Sequence, residues 1–286
     1  MLLKDARSLQ ILFLSLFLGL GVANRDWTLQ PVMVAVTIAT CLLTQWFLSS
    51  LVHLCPSQEL PASRSPSLFT LLSPLITSLG LSLLLRADHL TTVMLASGAA
   101  IASKFLLRVG DKHLFNPANF GIVTALILTP DAWASPGQWG EDGWYGLLFV
   151  GAGGLVLQRV GRWDTTIAFL GTYAGLEAVR NLWLGWTWDV WAHRLMSGSL
   201  LLFALFMITD PRTIPNARIA RLLWAGTIAL VAFTLRNVFF LSTAVFWALF
   251  VTAPLTPLLD RVFPADRFSW LPAPASPALS PSPETP

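Results

Sequence analysis

The sequence predicts an all-α, polytopic membrane protein of about ten transmembrane helices, in two inverted five-helix repeats with discontinuous helices near the repeat interface. Three observations lead there. Hydrophobic residues fill 55% of 286 positions and charged residues only 12%, with a mean hydropathy of +0.65. A soluble domain carries about 25% charge, so too few charges remain to cover a water-facing surface. Apolar runs recur from end to end, many near the roughly 20 residues a helix needs to cross the hydrocarbon core. The cations alternate between heavily and lightly loaded connections.

The apolar runs define ten segments: 8–24, 30–54, 68–86, 89–108, 117–130, 143–160, 164–186, 190–208, 218–235 and 237–258. Lys4 and Arg7 before the first run resemble a signal-peptide start, but Asn24-Arg25-Asp26 follows it without a small-residue cleavage site, so the run is read as a retained span. With the N-terminus in the cytoplasm, strict alternation places Lys4, Arg7, Arg64, Lys104, Arg108, Lys112, Arg159, Arg162, Arg212, Arg218, Arg221, Arg261 and Arg267 inside. Only Arg25, Arg86, Arg180, Arg194 and Arg236 fall outside. That bias fits the positive-inside rule and places both termini in the cytoplasm of a plasma (inner) membrane. Five helices per half is an odd number, so the second half is inverted relative to the first. The transmembrane domain is residues 1–262, in halves of about 1–130 and 143–262. The Pro-, Ser- and Ala-rich tail 263–286 is expected to be disordered and cytoplasmic.

Two segments stand out. Segment 117–130 is short and opens with Pro117, which suits a first helical turn, and Asn116 before it suits an N-cap. Asn119 follows one turn on, and Gly121 permits close approach of a backbone or a flat ligand. Segment 190–208 begins with His193, contains the small-residue run Ser197-Gly198-Ser199, and ends on Thr209-Asp210-Pro211-Arg212. Short, Pro-interrupted segments at corresponding places in two halves point to half-helices around a site at membrane depth. Polar groups there are functional candidates, although interhelical glue and turn formation explain the asparagines and Asp210 about as well. Asp210 is expected to cap the next segment or to pair with Arg212 or Arg218.

Other polar residues have plainer readings. Glu177 and Arg180, one turn apart, are expected to pair with each other. His193 reads as a structural hydrogen-bonding residue. Trp27, Trp133, Trp139, Trp144, Trp183, Trp186 and Trp188 cluster near expected outer boundaries, as an interfacial belt does. Gly151-Ala152-Gly153-Gly154 lies inside an apolar span and reads as a helix-packing patch. The sequence has no Walker loop, dinucleotide loop, nucleophile elbow or metal-ligand spacing. Cys41 and Cys55, the only cysteines, are expected neither to bridge nor to hold a metal. The net charge of +3 suits cationic loops at an anionic leaflet rather than nucleic-acid binding.

Three stretches carry a family resemblance: Ala102-Ser103-Lys104-Phe105, Phe115-Asn116-Pro117-Ala118-Asn119-Phe120-Gly121, and Phe206-Met207-Ile208-Thr209-Asp210-Pro211 with Pro215 beyond. By order and spacing over about 70–255, they resemble the membrane-subunit family of the Rnf complex D subunit and the B subunit of the sodium-pumping NADH:quinone reductase. Within it the chain is most similar to stand-alone UnbU-like proteins associated with enediyne biosynthesis.

The resemblance implies two inverted five-helix halves, similar to urea transporters, and it implies flavins. Members carry a flavin phosphate esterified to a Thr in an outer Ser-Gly-Ala-Thr motif, and some hold a second flavin without a covalent bond. The matching loop here, Asp131-Ala132-Trp133-Ala134-Ser135-Pro136-Gly137-Gln138-Trp139-Gly140, has no Thr, so covalent flavin is not expected. A non-covalent FMN or riboflavin is the remaining cofactor expectation. Its candidate residues are Asn116 and Asn119 for the ring edge, Phe115 and Phe120 for stacking, and Gly121, Ser197, Thr209 and Asp210 around them.

Two readings compete. One is an electron-transport subunit that needs membrane lipid and other redox or membrane subunits as partners. The other is a transporter or channel for a small neutral solute. A third, structural reading is an anchor that assembles other subunits.

Overall fold

The computed structural model describes residues 5–23, 29–54, 68–110, 112–135 and 143–268. Helices dominate it: α1 (Ala6–Ala23), α2 (Pro31–Leu54), α3 (Leu68–Leu84), α4 (Leu90–Leu106), α5 (Pro117–Leu128), α6 (Gly143–Val160), α7 (Trp163–Trp183), α8 (Trp188–Leu195), α9 (Gly198–Leu202), α10 (Arg218–Asn237), α11 (Ala244–Thr252) and α12 (Leu255–Val262). α9 runs on into a π-helical turn, Phe203–Met207. Each of the ten expected segments falls on one helix or on a bent pair.

The bent pairs depart from the sequence reading. Segment 190–208 is two helices, with α8 meeting α9 and its π turn at 51°. The break falls at Met196-Ser197, where Ser197 takes an extended ψ of 123°. Segment 237–258 starts in a loop and then forms α11 and α12, bent by 50° at Ala253-Pro254. Proline has no N–H to continue the helical ladder. α1, α2 and α10 are each long and apolar enough to cross a membrane, the two bent pairs qualify as broken spans, and α3 to α6 contribute shorter apolar stretches. α7 is 21 residues long but carries Asp164, Glu177 and Arg180.

The all-α expectation also omitted two short ribbons. β1 (Leu85–Ala87) pairs antiparallel with β4 (Ala132–Ala134), and β2 (Arg108–Val109) pairs with β3 (Lys112–His113). Pairing satisfies backbone groups where the chain leaves a helix. These ribbons close opposite ends of α4.

Packing sets the helix directions. The start of α2 (Met33, Val34, Thr37) shares a cleft with the end of α3 and the start of α4 (Val93, Ser97), so α2 and α4 both set out from the β1–β4 end. α7 and α10 also lie side by side. Their first turns are joined by Arg221 and Asp164, and the end of α10 is joined to the second half of α7 by Asn237 and Glu177. They set out from the β2–β3 end, where Lys112 donates to the Ile214 carbonyl just before α10.

Small residues bring helices close, as read from the sequence. A Cβ on Gly121 would meet the Ala96 carbonyl oxygen of α4 at 2.5 Å, and one on Gly153 would meet Leu205 at 2.9 Å. Gly121 thus makes the close backbone approach that a glycine permits, against α4. Trp183, Trp186 and Trp188 are exposed around the α7–α8 turn. Trp27, Trp139, Cys55 and the tail beyond residue 268 lie outside the described residues.

Candidate functional site

The site starts from the cap of α5. Asn116 accepts the Asn119 backbone N–H at 3.1 Å, as an N-cap should. Its Nδ2 then donates 3.2 Å to the Met207 carbonyl. That carbonyl ends the π turn, in which Ile208 N–H reaches back to Phe203. The Asn-Pro break of the first half and the Thr-Asp-Pro break of the second are thus tied by one amide.

Around that tie is a cavity of about 140 Å³. α1 (Arg7, Gln10, Leu14), α3 (Ser73, Thr77, Leu84), Lys104, His113, Asn116, Val156 and Val160 of α6, the π turn and Thr209 to Arg212 wall it. One part is aliphatic, from Leu14, Leu84, Val156 and Leu205. The other is polar and cationic. Lys104 is 6% exposed and donates to the Ser73 hydroxyl at 3.1 Å. His113 Nδ1 is buried with no hydrogen-bond partner. Burial, then the Arg212, Lys104 and Arg108 cations, push this imidazole down to about 3, so it is neutral at physiological pH. Phe206, 8% exposed, is the aromatic wall.

The expected site residues divide. Asn116, Thr209 and Asp210 line the cavity. Thr209 Oγ1 donates to the Leu205 carbonyl at 2.9 Å, leaving its lone pairs as acceptors. Asp210 accepts the Arg212 backbone N–H at 3.1 Å, the local turn that was one of its expected roles. Asn119, 1% exposed, instead donates to the Phe246 carbonyl of α11. Phe115 and Phe120 turn away from the cavity onto Phe250, with Phe115 stacked on it at 4.9 Å. Ser197 is at the α8–α9 break, its hydroxyl 3.0 Å from that of Ser199. The stacking pair and Ser197 thus sit on other surfaces, because the α5 cap points its aromatic neighbours at α11.

Several polar contacts were not legible beforehand. Glu177 does not pair with Arg180: it accepts from Arg194 at 2.9 Å and Asn237 at 2.8 Å, while Arg180 lies over the Trp186 ring. Helix neighbours three apart lose to a cross-helix partner that buries the carboxylate better. Asp164 forms a buried bidentate contact with Arg221. Arg86 donates to the carbonyls of Ser82, Leu83 and Leu85 and closes the end of α3. Lys104 carried a usable signal, a charge inside an apolar run, but it was counted as a loop cation.

These features define a class: a helical protein with several apolar candidate spans, in which two helix breaks meet beside an amphipathic cavity. Residues 134–269 match the model of the NQR2, RnfD, RnfE family, so the second half of the chain carries that family's signature. The match includes the Thr-Asp-Pro break and begins after the Asn-Pro break. The chain is 34% identical over 116 residues to the D subunit of the ion-translocating oxidoreductase complex of Stutzerimonas stutzeri, covering 41% of this chain and 33% of that one. It is 30% identical over 120 residues to the corresponding D subunit of Tolumonas auensis, at 41% and 34% coverage. For that of Halorhodospira halophila the identity is 29% over 115 residues, at 40% and 32%. The matched region spans about a third of the length of these curated relatives.

Proposed function

We propose that this chain is a multi-pass membrane subunit of an Rnf/Nqr-like electron-transport system and that its cavity receives a non-covalent flavin. Similarity to ion-translocating oxidoreductase subunits supports the first part. The observation that carries the second is the amide tie between the two breaks, with a cationic cavity beside it. Opposite starting ends for the α2–α4 and α7–α10 pairs support two inverted five-helix halves and ten crossings. Concentration of Lys112, Arg162, Arg218, Arg221, Arg261 and Arg267 at the β2–β3 end supports a cytoplasmic placement of that end. Partner subunits follow from the absence of nicotinamide or iron–sulfur motifs in the sequence, and the stand-alone UnbU-like group remains our placement within the family.

The lining suits an isoalloxazine in chemistry. Lys104 and Arg212 offer donors to a carbonyl edge that gains negative charge on reduction, Phe206 offers a ring, and the aliphatic walls exclude water. A flavin there would supply one- and two-electron transfer, and these residues would bind and orient it. The cavity is smaller than the ~300–1,000 Å³ of typical ligand pockets. Binding therefore entails widening, and the π turn and the two breaks are where regular helix bonding resists it least.

Purified protein supplemented with riboflavin or FMN should be yellow, with flavin released by denaturation and identified by chromatography. Lys104→Met should lower flavin occupancy several-fold while α-helix content stays unchanged. Colourless protein under these conditions would remove the flavin reading. Flux of a small neutral solute in liposomes without redox reagents would instead favour a transporter.

A further inference from the structure

We propose that a second cavity, beneath α12, holds the phosphate head group of an acidic phospholipid. The proposal rests on the membrane reading of the fold and is independent of flavin. This cavity is about 340 Å³, and its polar lining is Lys112, Asn216, Thr256, Asp260, Arg261 and Arg267. Asp260 is the only acid among the described residues lining it, and its charge is already engaged. One oxygen accepts from Lys112 Nζ at 2.6 Å and the other from the Asn216 backbone N–H at 2.7 Å. By formal charge the described lining holds three cations, Lys112, Arg261 and Arg267, against the one carboxylate of Asp260, a balance suited to a phosphate diester.

Hydrogen-bonding capacity is also left over. Thr256 is 3% exposed, yet its hydroxyl has no partner, and Asn216 Oδ1 is likewise buried without one. A buried polar group without a partner costs free energy. A head-group oxygen would accept a hydrogen bond from the Thr256 hydroxyl, and a head-group glycerol hydroxyl would donate to the Asn216 oxygen.

The shape of α12 locates the mouth of the cavity. Leu255, Leu258 and Val262 are 39%, 54% and 68% exposed, and their spacing puts them on one helix face. Thr256 and Asp260 lie on the other, against the cavity. A short helix with an apolar outer stripe, bent 50° from the preceding α11, is suited to lie in the membrane interface. Its polar face then sits at head-group level. Basic pockets between helices at that depth select anionic lipids.

The test uses the full chain reconstituted in nanodiscs of mixed phosphatidylcholine and phosphatidylglycerol, with retained lipid counted by native mass spectrometry. The wild type should retain phosphatidylglycerol preferentially. Each cation near a head group contributes on the order of fivefold in affinity, so R261Q/R267Q should cut the preference about twentyfold. Thr256→Val should cut it a few-fold. Arg159→Gln, which removes an exposed cation at the end of α6 that is not part of the lining, should leave it intact. Equal retention in wild type and double variant, or an equal loss in Arg159→Gln, would overturn the proposal. A thermal stabilisation by inorganic phosphate in detergent that R261Q/R267Q abolishes, without lipid preference, would also overturn it in favour of a soluble anion. Flavin content of R261Q/R267Q should match the wild type, which separates this result from the fate of the first cavity.

Discussion

The α2–α4 pair and the α7–α10 pair are the same device built with different glue. Both are side-by-side helices setting out from a shared end. Between α2 and α4 the contact is apolar and small: Met33 and Val34 meet Val93 at the shared end, and the notable polar approach is Cys41 Sγ to the Ser97 carbonyl at 3.9 Å. Between α7 and α10 the contact is clipped by charge at both ends, by Asp164–Arg221 and by Glu177–Asn237 with Arg194. In lipid the hydrophobic effect does not drive helices together, so close packing and satisfied polar groups must do so. The first pair relies on the former and the second on both. The polar clips also explain why α7 reads poorly as a span despite its length: its charges are satisfied inside the protein rather than in lipid.

The comparison can be broken experimentally. The largest effect is expected from Arg221→Met, which takes the bidentate partner from Asp164, 5% exposed, and leaves it only the 3.9 Å ion-pair approach of Arg218. Breaking a buried pair costs about 3–5 kcal/mol, read as a large loss of thermal stability in detergent. The double variant D164N/R221M should recover most of it, and no recovery would mean that the pair is not the clip. Next is Gly121→Val at the small-residue contact between α4 and α5. Overpacking a tight contact costs about 1–3 kcal/mol, and an unchanged melting temperature would show that α4 and α5 separate more easily than their approach implies.

Asn116→Ala removes both the α5 cap and the bond to Met207. Loss of a cap and of one hydrogen bond should cost about 1–2 kcal/mol, with faster hydrogen exchange in both 116–121 and 203–208. Exchange rising in only one stretch would show that the breaks are not coupled.

A smaller effect is expected at the β1–β4 end. Asp131 accepts from the Thr92 hydroxyl at 2.7 Å and from the Asp88 and His89 backbone N–H groups. The Thr92 bond first, and then His89, hold its carboxyl below the usual carboxylate range. A depressed folded pKa contributes stability in full above the unfolded value of about 3.9. That contribution fades as pH falls through the folded value. The melting temperature of Asp131→Asn should therefore fall less than that of the wild type on acidification below about pH 4. Parallel curves would exclude this carboxylate as a source of acid sensitivity. Smallest is the expected mass difference at Ser135, none: intact protein should carry no flavin adduct there, and finding one would reverse the reading of that loop.

Much of this was legible in the chain. The positions of ten apolar segments, the α5 cap and the Gly153 packing patch all follow from local rules, because hydropathy, proline and small residues act within a turn or a helix length. Asn116, Thr209 and Asp210 were nominated for the same local reason, since they sit at breaks.

Partner choice was not local. The sequence offered Glu177 the neighbour Arg180, and tertiary packing gave it Arg194 and Asn237. Phe115 and Phe120 were nominated for a ligand, and the fold turned them onto Phe250. The sequence groups Lys104 with the loop cations, and the meeting of α3, α4 and the π turn makes it a buried cation of the cavity, beside Arg7 and Arg212. A buried charge takes whichever partner satisfies it with least desolvation, and that partner is fixed only when distant helices come together.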